Sequence, residues 1–165
     1  MLLYLLRHGD AVDSGYDDGS RSLSPLGEVQ AALVANAFVT LHLPLEIILS
    51  SPLLRAVQTA EIIRQTMKNV NCVTSDYLVP GTNERQLIQQ LNELREPSGL
   101  LVGHEPHLRT LASLLVCGTR HAQFEFKKAT MICIECAQAV EPEGGALKWM
   151  LSVDQMEMLQ RRGLR

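Results

Sequence analysis

Aromatic side chains are scarce: three Phe, three Tyr and one Trp, 4% of 165 residues. A core has to be filled by Leu, Val, Ile and Ala, and the 46% hydrophobic content is enough for a sizeable one. There is no basic surplus either. Fifteen Lys and Arg stand against 18 Asp and Glu, mixed along the chain for a net charge of −3. That balance excludes a general nucleic-acid-binding face and confines any basic site to a local pocket. No apolar run approaches the roughly 18 residues of a membrane span. The apolar start is too short for a signal-peptide core and runs at once into Arg7 and His8. A soluble, cytoplasmic protein is expected, with neither membrane nor nucleic acid as partner. Cysteine is limited to Cys72, Cys117, Cys133 and Cys136. Three lie in apolar surroundings, and in a strand the offset of Cys133 and Cys136 points them to opposite faces. Buried free thiols are expected rather than a disulfide or metal site. With no internal repeat or low-complexity linker, residues 1–165 read as a single domain.

What is present is an alternation of strand-like and helix-like runs. Leu2–Leu6, Leu45–Leu49, Val70–Thr74 and Gly99–Val102 read as strands. Ser24-Pro25 signals a helix start, with Ser24 as N-cap and Pro25 in the first helical position. The helix runs through Glu28–Thr40, with Val29, Leu33, Ala37 and Leu41 on its apolar face. Ser51-Pro52 repeats the cap-and-proline signal for a helix reaching about Met67. Glu84–Leu94, with Leu87, Ile88, Leu91 and Leu94 in register, and Leu108–Val116 are helical. Ala129–Cys136 and Ala146–Val153 are joined too tightly for a crossover and predict a hairpin, and Trp149 on the second reads as core. The last dozen residues read as a short helix with a frayed tail. The pattern predicts an α/β fold: a three-layer sandwich, its mostly parallel sheet of about six strands covered by helices on both faces.

Ligands of open α/β sheets bind beyond the carboxyl ends of the strands. After the first strand comes Arg7-His8-Gly9, after the second Ser50-Ser51-Pro52-Leu53-Leu54-Arg55, and after the fourth Gly103-His104-Glu105-Pro106. Two arginines and two histidines therefore converge on one sheet edge, beside the helix that starts near Pro52. Arginine matches phosphate oxygens bidentately, unpaired helix N–H groups attract anions, and Gly9 and Gly103 let the backbone turn and approach closely. A phosphoryl group is the expected guest; a carboxylate or sulfate fits the charge as well. An imidazole between two arginines should be driven toward its neutral form. A zinc site from His8, His104 and His107 is disfavoured because the arginines repel a cation. His107 reads as structural, His42 and His121 as surface residues, and Asp17-Asp18 as a solvated loop pair.

Three motifs in order, Leu6-Arg7-His8-Gly9-Asp10, Ser50-Ser51-Pro52-x-x-Arg55-Ala56-x-Gln58-Thr59 and Val102-Gly103-His104-Glu105-Pro106, resemble the histidine phosphatase superfamily. The short chain and R-H-G-D start resemble its SixA-type phosphohistidine phosphatase branch. The resemblance implies a phosphoglycerate mutase-like fold and a metal-independent phosphatase without cofactor. It makes His8 the nucleophile that becomes phosphohistidine, with Arg7, Arg55 and His104 holding the phosphoryl oxygens. Arg21 is a candidate extra phosphate contact, weighed against a solvated loop arginine. Many members carry a carboxylic acid on an insertion after the third strand. Here Glu84 is the sole candidate acid in that region, and a first-turn acid favoured by the helix dipole explains it as well. A missing acid disfavours alkyl phosphoesters, and a missing insertion leaves the pocket open to a phosphorylated protein, such as a histidine phosphotransfer-type domain. The alternatives are a small-molecule phosphoester phosphatase on the same site, or a non-catalytic module that binds phosphohistidine or phosphate.

Overall fold

The continuous apolar runs become the centre of a six-stranded sheet in the computed structural model, which describes residues 1–13 and 17–163. The strands are β1 (Leu2–Arg7), β2 (Ile47–Ser50), β3 (Asn71–Thr74), β4 (Ser98–Gly103), β5 (Met131–Cys136) and β6 (Gly145–Leu151), in the order β3-β2-β4-β1-β5-β6. The first four are mutually parallel; β5 runs antiparallel to β1 and forms the expected hairpin with β6. Because β4 inserts between β1 and β2, the three motif-bearing strands are neighbours, and their carboxyl ends open side by side.

Side chains alternate between two cores. Leu3, Leu5, Leu49 and Leu101 pack under α3 (Glu84–Glu93) and α4 (His107–Cys117). Tyr4, Leu6, Ile48 and Leu100 pack under α1 (Pro25–Thr40), α2 (Leu54–Thr66) and α5 (Val153–Gly163). The two cysteines divide as the pleat requires: Cys133 joins the second core and Cys136 the first. Trp149 packs on the second core, its ring 5.8 Å from that of Tyr4. Cys117 departs from expectation. It ends α4 and is exposed.

Ser24 caps α1 as read, accepting from the Gly27 N–H, with Pro25 leading the helix. The buried face is different. Gly27, Ala31, Val34, Ala35 and Phe38 point inward with Ala37, whereas Val29 and Leu41 are exposed and Leu33 is only partly covered. Apolar residues surround most of this helix, so periodicity alone admits two faces. Close packing selects the one with small residues. The second helix begins at Leu54 rather than Pro52, and Leu53 provides no side-chain cap. Among the described residues no helix is long and apolar enough to cross a membrane.

One backbone contact sets the entrance to the site. A Cβ on Gly9 would lie 2.6 Å from the Gly27 carbonyl oxygen, and one on Gly27 would lie 1.9 Å from that of Asp10. Gly9 thus serves close approach between the β1 exit and α1. Gly27→Ala must push backbone apart, so it should cost at least about 1–3 kcal/mol, lowering the melting temperature by about 2–4 °C per kcal/mol. An unchanged unfolding midpoint would show that this contact does not hold the loop.

Candidate active site

The first strand carries His8 into the sheet's own hydrogen bonding. The His8 N–H donates to the Gly103 carbonyl at 3.0 Å, joining the ends of β1 and β4. Its ring is buried, and its two nitrogens have partners that fix the tautomer. Nδ1 lies 2.6 Å from the Gly9 carbonyl, which can only accept. Nε2 lies 3.2 Å from Arg55 Nε, which can only donate. His8 is therefore neutral with its proton on Nδ1 and its lone pair on Nε2. Burial pushes its pKa down to about 4, with the Gly9 hydrogen bond opposing and Arg55 and Arg7 adding to the fall. The sequence pointed to the arginines; desolvation is the larger cause.

Arg55 sits in the first turn of α2, 5% exposed. Besides Nε on His8, its Nη1 donates to the Asp18 carbonyl at 2.5 Å and its Nη2 to Asp18 Oδ2 at 2.9 Å. The other Asp18 oxygen accepts from Arg21 Nη1 at 3.1 Å, while Arg21 Nε donates to the Val12 carbonyl. Asp18 is thus no merely solvated partner of Asp17. It joins the two arginines, which hold its carboxyl below the usual range, Arg55 foremost. Nothing in a polar loop marks which of two adjacent aspartates turns inward. The α2 N-terminus is less open than expected: the Leu54 N–H donates to the Gly19 carbonyl and the Leu53 N–H to Ser51 Oγ.

The third motif brings His104 beside His8, ring centroids 4.9 Å apart. His104 Nε2 lies 2.9 Å from Ser51 Oγ, and both residues are buried. Ser51, read from sequence as a helix cap, is therefore a site residue. Burial pushes the His104 pKa down to about 3, helped by His8 and Arg55. Arg7 Nη1 donates to the Phe126 carbonyl at 2.8 Å. Arg7 Nε and His104 Nδ1 are buried without a hydrogen-bond partner among the described residues. Thr59 braces the loop after His8 from α2, its hydroxyl accepting from the Gly9 N–H and donating to the Arg55 carbonyl. Asp10 closes the loop, with Lys128 at Oδ1 and Ser24 donating to Oδ2.

Glu84 heads α3 but is more than a dipole-favoured surface acid. It is 5% exposed, with Oε2 2.6 Å from Arg120 Nη2 and Oε1 3.8 Å from His107 Nδ1. Its carboxylate is engaged by partners 36 and 23 residues away, beyond the reach of local sequence reading. His107 is buried at the start of α4, and burial lowers its pKa against the opposing pull of Glu84. His42 and His121 are exposed, as read.

Known proteins are similar to this chain. Residues 3–79 match the family model of the histidine phosphatase superfamily, branch 1. An uncharacterised protein of Picosynechococcus sp. is 34% identical over 144 residues, covering 84% of this chain and 87% of that protein. The phosphohistidine phosphatase SixA of Escherichia coli is 25% identical over 165 residues, covering 96% of this chain and 98% of its own. A solved structure of the protein histidine phosphatase SixA with tungstate superposes with a TM-score of 0.77 at 25% identity, covering 93% of this chain and 98% of that one. With this similarity over most of its length, and with its three motifs gathered at adjoining strand ends, the chain belongs to the histidine phosphatase superfamily and is a phosphatase.

Proposed function

We propose that the protein is a phosphohistidine phosphatase that removes the phosphoryl group of a phosphorylated protein through a covalent intermediate on His8. The observation that carries this reading is the fixed His8 tautomer: a neutral ring with its lone pair at Nε2, beside a guanidinium. In the first step the Arg55 Nε–H shifts from the Nε2 lone pair to a phosphoryl oxygen, Nε2 attacks phosphorus in line, and the bond from phosphorus to the substrate nitrogen breaks. A substrate ring protonated on its other nitrogen departs as neutral imidazole. His8 becomes a phosphorylated imidazolium whose Nδ1–H stays on the Gly9 carbonyl. Water then attacks phosphorus, its proton passing to a phosphoryl oxygen, and His8 leaves neutral as the phosphate departs. Arg7, Arg55 and His104 hold the equatorial oxygens as charge develops. The unpartnered Arg7 Nε is a donor such an oxygen would satisfy, a gain because a buried polar group left unpaired costs about 1–3 kcal/mol, and His104 Nδ1 becomes a second in the tautomer whose Nε2 accepts from the Ser51 hydroxyl. The guanidiniums supply the positive charge, so the chemistry calls for no metal or cofactor.

Leaving-group chemistry supports phosphohistidine over an alkyl ester. An alkoxide needs a proton from a general acid, and the Glu84 carboxylate is paired with Arg120. Similarity to SixA, a protein histidine phosphatase, supports a phosphoprotein substrate; a histidine phosphotransfer-type domain met in the cytoplasm is the substrate we infer. We read the chain as one domain, since all six strands form a single sheet.

Phosphate release should be compared for a phosphohistidine-bearing domain, a phosphotyrosine peptide and 3-phosphoglycerate. Release is expected chiefly from phosphohistidine and should fall by at least about a thousandfold in His8→Ala. A preference for the esters would overturn the reading and restore Glu84 as an acid. Binding of phosphate without release from any of them would make the protein a binding module.

The His8 ring should also be followed by nitrogen NMR against pH. It is expected to stay neutral, protonated on Nδ1, at pH 6 and to titrate near about 4. An imidazolium at pH 6 would remove the nucleophile. Stability follows the same linkage. The folded pKa lies below the ordinary 6.5, so the unfolded chain binds the proton first, and stability should decline as pH falls from about 6.5 toward about 4.

A further inference from the structure

We propose that Asp18 is a positioning residue of the active site, which turns the side of the Arg55 guanidinium toward His8; this rests on the reading of Arg55 as a phosphoryl clamp. The guanidinium is a rigid planar fork. Asp18 takes both of its Nη atoms, one with its main-chain carbonyl and one with its carboxylate. The Nε is left facing His8 Nε2. A fork gripped at its end in this way cannot rotate about its long axis or swing out on its flexible stem. The Asp18 side chain is 64% exposed, so a tight hold on Arg55 is no by-product of burial. Two further contacts fix Asp18 itself. Arg21 pins its second oxygen, and the next residue, Gly19, accepts from the Leu54 N–H immediately before Arg55. The loop and the first turn of α2 are thereby joined by main-chain and side-chain bonds around one arginine. Arg21 then acts at one remove from the phosphoryl group, through Asp18.

The arrangement has a physical use. Phosphoryl transfer is catalysed mainly by donors held in place before the reaction, and a misplacement of about an ångström is costly. Asp18 also carries the charge that offsets Arg55 when the pocket is empty, so the clamp can be buried beside a neutral His8.

A different consequence follows if Asp18 instead competes with phosphate for Arg55, and the two are told apart by sign. Inorganic phosphate binding should be titrated for the wild type, Asp18→Ala and Asp18→Asn, with turnover on a phosphohistidine-bearing domain measured in parallel. Asparagine keeps the main-chain carbonyl and one side-chain acceptor. Asp18→Ala should weaken phosphate binding and lower kcat by about five- to fiftyfold, whereas Asp18→Asn should stay within about threefold of wild type. The Nε2 nitrogen signal of His8 should shift in the alanine variant and return toward its place in the asparagine variant, a readout that a purely structural loop residue would not move. Tighter phosphate binding by Asp18→Ala would overturn the assignment and make Asp18 a competitor. Unchanged binding, or equal loss in both variants, would overturn it too. Asp18-dependent phosphate binding in a protein that prefers phosphoesters would uphold the assignment of Asp18 while refuting the proposed substrate.

Discussion

The hydrogen bond from Arg55 Nε to His8 Nε2 is the contact on which the site depends. It can form only if the imidazole is neutral and has its lone pair on that nitrogen. That condition requires the other nitrogen to donate, which the Gly9 carbonyl ensures. It also requires protonation to be unfavourable, which burial ensures before any neighbouring charge is counted. The same contact places a guanidinium against the nitrogen that, in the proposed mechanism, attacks phosphorus. His8 and Arg55, the proposed nucleophile and clamp, are thus held in register by each other, and a change at either side alters both.

The fold makes that contact possible through strand order. The chain visits β1, then β2, and returns later to place β4 between them. Residues separated by almost a hundred positions, His8 and His104, become neighbours because their strands do. The sheet hydrogen bonding continues past the strands' ends: His8 donates to Gly103, and Ser51 donates to Val102. The functional loops are therefore extensions of the most buried part of the molecule rather than appendages, which suits groups that must be rigid to act. Opposite His8, α1 approaches so closely that two glycines are needed where it meets the loop.

Much of this was legible in the chain. Apolar runs ending in Arg-His-Gly, Ser-Pro-x-x-Arg and Gly-His located the strand ends, and the parallel-sheet rule made those ends one place. The helix-capping serine at Ser24 was legible because its signal is local. What escaped has a common cause. The inward face of α1 depends on which small residues let α2 and the sheet come near, and that is a property of the assembled layers. Ser51 has the side chain of a cap and accepts from the Leu53 N–H, yet its hydroxyl also meets His104. Glu84 gains its meaning from Arg120, and Asp18 from Arg55; both are ion pairs across long sequence gaps. Periodicity and local chemistry do not report such pairs.

Charge balance unites these unread partners. A pocket with two arginines at the edge of an apolar sheet would be costly to desolvate if its positive charge were unopposed. The chain answers each buried or half-buried charge near the site with a specific opposite one: Asp18 for Arg55, Lys128 for Asp10, Arg120 for Glu84. The histidines are kept neutral and add no further charge. Arg7 is the exception. Its Nη1 rests on a main-chain carbonyl and its Nε has no partner among the described residues. Among the described residues, Arg7 is thus the guanidinium near His8 whose charge is not met by a direct ion pair, and in the proposed mechanism it gains most from an arriving phosphoryl group. In the proposed mechanism, attraction for a dianionic guest then follows from the donor that the resting site leaves unpaired.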